Sequence, residues 1–110
     1  MASKQVRTPP TKITSNYVTP DDQMLDMGAY RVCGIQCTRL KTQASTSPVK
    51  VQHNCTKDPT GWLDTTAAFK LDGTDPDFQE VTSFGRYFRL VGPVAADGTA
   101  VFMVDWIGKE

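Results

Sequence analysis

Four residues of this chain have the types that hold a metal or pair a nucleophile with a base: Cys33, Cys37, His53 and Cys55. Thiolate and imidazole bind zinc, and a cysteine beside a histidine can attack a carbonyl. The spacing speaks against both. Zinc knuckles present cysteines from tight turns such as Cys-x-x-Cys, whereas Cys33 and Cys37 stand in a run that alternates like a strand. Extended, that run holds their Cα atoms roughly 13 Å apart, and a disulfide needs less than about 7 Å. Cys55 could bridge to either, leaving one odd thiol. Reduced, partly buried cysteines are expected instead, because nothing at the N-terminus reads as an export signal. His53 is the only histidine. No nucleophile signature surrounds any Ser, Thr or Cys, so His53 is read as structural and the protein as a non-enzyme without a cofactor.

Carboxylates gather at Asp72, Asp75, Asp77 and Glu80, around Gly73 and Pro76. Such a cluster can bind Ca²⁺ or hydrolyse a glycosidic bond. The residue order of a Ca²⁺-binding EF-hand is missing, so a solvated turn is expected, with Ca²⁺ at Asp72, Asp75 and Asp77 as the alternative. In Arg86-Tyr87-Phe88-Arg89 a strand would put Tyr87 and Arg89 on one face. Arg89 then either meets a ligand or acidic partner while stacked on an aromatic, or pairs within the sheet, with Asp105 the candidate. Trp62 and Trp106 are either sugar platforms or, as expected here, packing residues of the core or a subunit interface. Together Trp62, Tyr87 and Arg89 are the candidate ligand-binding residues.

These side chains must be held by strands. Runs rich in β-branched and aromatic residues recur at 12–18, 29–41, 49–54, 62–70, 78–83, 84–91 and 99–107, separated by Gly, Pro, Asp and Ser. Helical periodicity appears over no useful length, apart from a short stretch through Gln23-Met24-Leu25 after the turn signal Thr19-Pro20-Asp21-Asp22. In the longest run Cys33, Ile35, Cys37 and Arg39 share one face, and Val32, Gly34, Gln36 and Thr38 the other. The expected fold is all-β: a single antiparallel, jelly-roll-like β-sandwich at 12–110, preceded by an extended N-terminal arm at 1–11 that Pro9-Pro10 keeps from being helical.

The chain has 110 residues, with 12 basic and 12 acidic side chains and 39% hydrophobic residues. That length suits one core. Zero net charge argues against a fold-wide attraction to nucleic acid. No apolar run approaches the roughly 20 residues of a membrane helix. Lys4, Arg7 and Lys12 make the first 12 residues basic, while the remainder is net acidic.

Four segments carry a family likeness. Val49-Lys50-Val51-Gln52-His53 is followed by Gly61-Trp62-Leu63-Asp64, then by Arg86-Tyr87-Phe88-Arg89-Leu90, then by Gly98-Thr99-Ala100-Val101-Phe102. This order resembles galactose-binding-like (discoidin-type) β-sandwiches over about residues 30–108. The resemblance implies the architecture. The chain is shorter than typical members, and the family's ligand-binding spikes and Ca²⁺ loop have no clear counterpart. Small stand-alone sandwiches of this kind also look like decoration, cement or fibre-base proteins of bacteriophage virions.

The expected function is therefore a structural subunit of a virion, made in the host cytoplasm. It would form homo-oligomers and dock on capsid or tail subunits through its sandwich and through Lys4, Arg7, Pro9, Pro10 and Lys12 of the arm. The alternatives are a cytoplasmic protein and a carbohydrate-binding module that takes a glycan.

Overall fold

The computed structural model describes residues 3–74 and 76–110. Eight strands follow in order: β1 Ser3–Thr14, β2 Leu25–Asp26, β3 Val32–Lys41, β4 Pro48–Asn54, β5 Leu63–Lys70, β6 Asp77–Val81, β7 Tyr87–Val91 and β8 Asp97–Lys109. A short 3-10 turn, Asp21–Gln23, stands where the sequence hints at a helix.

The strands form two four-stranded antiparallel sheets, β1-β8-β3-β6 and β2-β7-β4-β5. Each of the nested pairs β4/β5, β3/β6, β2/β7 and β1/β8 is a pair of antiparallel neighbours. A long hairpin rolled around a core gives this order, which is the jelly roll. The all-β sandwich read from the sequence is the observed architecture.

Alternation decides what goes inside. Cys33, Ile35 and Cys37 of β3 and Ala100, Phe102, Val104 and Trp106 of β8 are buried, facing Val49, Val51, Phe69, Phe88 and Leu90 of the second sheet. Burying each large apolar side chain contributes about 1.5–3 kcal/mol. Phe88 spans the layers, its ring 5.8 Å from Trp106 and 4.9 Å from Phe84. At one corner the Gln79 side chain bridges the sheets: its Nε2 donates to the Ala68 carbonyl at 2.6 Å, and its Oε1 accepts the Ala68 N–H at 3.2 Å. A side-chain amide thereby supplies to the edge strand β5 the pairing that another strand would give.

Residues 3–11, expected as an arm outside the domain, lie along β8 as most of β1, from Ser3 opposite Lys109 to Thr11 opposite Phe102. The boundary drawn at 11/12 falls inside that strand. The Trp106 indole N–H donates to Thr8 Oγ1 at 2.8 Å in the interior, so this segment completes the core.

Candidate functional site

Two outer surfaces concentrate the candidate residues, one on each sheet.

On the second sheet, Tyr87 and Arg89 point outward while Phe88 and Leu90 point in. The register sets Arg89 opposite Gln52, and Gln52 opposite Asp64. A ladder results. Arg89 Nε donates to Gln52 Oε1 at 2.9 Å, Gln52 Nε2 donates to Asp64 Oδ1 at 2.9 Å, and Lys50 Nζ donates to Asp64 Oδ2 at 3.1 Å. Trp62, which leads into β5, carries the Arg89 guanidinium 4.3 Å from its ring centroid, and its indole N–H donates to the Asp58 carbonyl at 2.6 Å. Tyr87 carries Arg86 at 5.1 Å and Lys57 at 5.4 Å. Arg86 is in turn paired with Asp26 at 2.9 Å.

The electrostatics follow the contacts. Partial burial lowers the Arg89 pKa, and the bonds from Gln52 and Lys50 hold the Asp64 carboxyl below the usual range. The Arg86 bond does the same for Asp26. Trp62, Tyr87 and Arg89 thus come together as the sequence grouped them. Each ring nevertheless has a face that meets one of the protein's own cations, and that face is closed to a sugar.

Arg89 does not reach Asp105. The two stand on different sheets, and Asp105 takes Arg7 instead, with Nε at 2.7 Å and Nη2 at 3.2 Å. That bond raises the Arg7 pKa.

The outer face of the first sheet carries apolar side chains that the sequence reading missed. Val101, Met103 and Ile107 of β8 are half-buried and point away from the core between buried neighbours, Val32 at the start of β3 is half-buried on the same face, and Leu40, at the bulge between Arg39 and Lys41, is exposed. Antiparallel sheets that meet water are normally polar on that side. Gly34 sits at the centre of this face. A Cβ there would stand 2.9 Å from both Phe78 Cζ and Ile107 Cγ2, so those two side chains close over bare backbone. Phe78 remains 50% exposed. Beside it runs an open groove of ≈ 510 Å³, lined by Gln5, Arg7, Gln36, Phe78, Asp105 and Ile107. The signal was available in the unbroken apolar run from Ala100 to Val104, where strict alternation fails.

The remaining candidates are dispersed. Cys33 and Cys37 are buried on β3, Cys55 is exposed, and none of the three is in a disulfide. Burial pushes the Cys33 thiol up to about 12. His53 Nδ1 accepts the Gly85 N–H at 2.9 Å. His53 lines a groove of ≈ 360 Å³ with Asp64, Glu80, Thr82 and Ser83. Those carboxylates are engaged elsewhere, Glu80 with Lys109 at 3.2 Å and Asp64 with Gln52 and Lys50. Asp77 meets Nη2 of Arg39 at 3.3 Å. Arg39 is buried; it donates to the Lys70 carbonyl at 2.6 Å and stacks 5.3 Å from the Phe102 ring, pinning the turn that leads into β6. Asp72 is exposed, and Asp75 lies outside the described residues. Among the described residues no group of three or more His, Cys, Asp or Glu could hold a metal.

In the N-terminal segment Lys4 Nζ donates to the Asp26 carbonyl at 3.0 Å, while Pro9, Pro10 and Lys12 are exposed. Among the described residues no helix is long and apolar enough to cross a membrane. Comparison with known proteins finds no matching family model, no matching curated protein and no matching solved structure.

Proposed function

We propose that this protein is a non-enzymatic assembly subunit, a virion decoration, cement or appendage protein that works by docking. One observation carries the reading: the outer face of β1-β8-β3-β6 holds the half-exposed ring of Phe78 and the half-buried Val32, Val101, Met103 and Ile107 on a sheet whose other face already fills the core. Apolar side chains gathered on the solvent side of a sheet mark contact with another macromolecule. The Lys109–Glu80 pair stands at one end of it, and the row Arg7, Asp105 and Gln36 crosses the sheet between Met103 and Ile107, so polar groups are interleaved with the apolar ones as in non-obligate interfaces. Jelly rolls serve in viral capsids and in lectins, an analogy of fold that leaves the choice to the surface. The test is co-sedimentation with purified virions from the source of the protein. Phe78→Lys with Met103→Lys abolishes binding while leaving the circular dichroism spectrum unchanged.

A second reading is a carbohydrate-binding module of the galactose-binding-like type, using Trp62, Tyr87 and Arg89. Its support is the ladder that gathers those residues with Gln52 and Asp64 on one face. A glycan array answers it: binding that disappears with Trp62→Ala favours this reading over docking by the first sheet.

A further inference from the structure

Strand β1 is the edge of its sheet, paired with β8 on one side only. Edge strands offer unpaired N–H and C=O groups, and proteins blunt them with proline, charge or cover. Here Pro9 and Pro10 blunt one half, leaving the stretch from Ser3 to Thr8 as a ladder without a partner strand among the described residues. A groove of ≈ 340 Å³ runs beside it, with Val6, Met24 and Leu25 as its apolar wall.

We propose that the occupant of this edge is a second copy of the same strand. Two β1 strands would pair antiparallel about a two-fold axis, joining two sheets into one of eight strands. The proposal rests on the assembly reading above and names its self-contact.

The sequence of β1 selects the register. Side chains that meet across an antiparallel pair lie on the same face, so the axis must pass through a residue and its own copy. Centring on Lys4 or on Arg7 brings like charges together, which is destabilising. Centring on Gln5 sets Lys4 against Val6. Centring on Val6 sets Val6 against Val6 beside the apolar wall, Gln5 against Arg7, and Lys4 against Thr8. It also places Pro9 opposite Ser3, at the end of the ladder, where a missing N–H costs nothing. No like charges oppose each other in this register. Main-chain bonds across the axis supply affinity, and the alternating side chains supply the register.

Sedimentation velocity across a dilution series tests this, because Gln5 is exposed and its charge can be changed without touching the core. The wild type is expected to dimerise. Gln5→Lys, which sets two Lys–Arg pairs across the axis, weakens the dimer roughly tenfold, and Gln5→Glu tightens it. A chain that stays monomeric at every concentration overturns the proposal. So does a dimer that ignores both charges and is split by Phe78→Lys, which would put the contact on the sheet face. A monomer that still co-sediments with virions overturns β1 pairing alone. A charge-sensitive dimer that binds no virion supports the pairing and removes the assembly reading.

Discussion

The Phe78 ring lies across Gly34 of the neighbouring strand, so close that a Cβ on Gly34 would stand 2.9 Å from Phe78 Cζ. Glycine weakens a strand, and an aromatic ring laid over it restores cover to the bare backbone. Gly34→Ala is expected to cost about 1 kcal/mol because the ring must move aside. In a Phe78→Ala background the same change costs less or stabilises, since alanine suits a strand better than glycine does. Urea unfolding of the four proteins measures this coupling.

The Thr8–Trp106 bond makes the N-terminal segment part of the fold. Thr8→Val keeps the shape and leaves a buried indole N–H unpaired, at a cost of about 1–3 kcal/mol. Deleting residues 1–11 removes Thr8 together with most of β1 and exposes the edge of β8. That deletion is expected to yield a chain with an early, broad thermal transition, and its melting profile settles the matter. A folded domain with wild-type stability after the deletion would restore the view of a separable arm.

On the opposite sheet Arg89 and Trp62 act as a unit. A double-mutant cycle with Trp62→Ala and Arg89→Met is expected to return a coupling energy of about 0.5–1 kcal/mol, the range for a cation over an indole at a partly exposed site. A coupling of zero would mean that the stacked pair adds nothing in solution and that Arg89 is held by Gln52 alone.

The cysteines give a test by chemistry and by pH. In the native protein an alkylating reagent is expected to modify Cys55 only, and in denaturant all three thiols. Cys33 ionises near its ordinary value when unfolded and near 12 when folded. Between those values the unfolded chain holds fewer protons, so stability falls as pH rises from about 9 toward 12, by up to about 1.4 kcal/mol per unit. Cys33→Ala lacks this slope. Chemical denaturation at a series of alkaline pH values compares the two.

The inner faces were legible because burial enforces a period of two. The split of β3 into Cys33, Ile35, Cys37 and Arg39 against Gly34, Gln36 and Thr38 is the one observed. Strand β1 was not legible. Its first half is polar, two prolines interrupt it, and only Thr8 and Ile13 are buried, so its pairing is decided by the length of β8. Strand β2 has two residues, too few for any pattern. The grouping of Trp62, Tyr87 and Arg89 follows from alternation plus one hairpin. The partner of Arg89 depends on which sheet receives β7, and local sequence does not specify that: Asp105 is sixteen residues away and stands on the other sheet. The apolar outer face of the first sheet draws on β3, β6 and β8 together, and it emerges only once the sheet order is known.

Docking through that face is tested most directly by titrating labelled protein onto purified virions and counting copies bound per particle. Saturable binding that Phe78→Lys with Met103→Lys eliminates, and that Trp62→Ala leaves intact, is the predicted result. Unchanged occupancy by the double variant, or no saturable binding by the wild type, would contradict it.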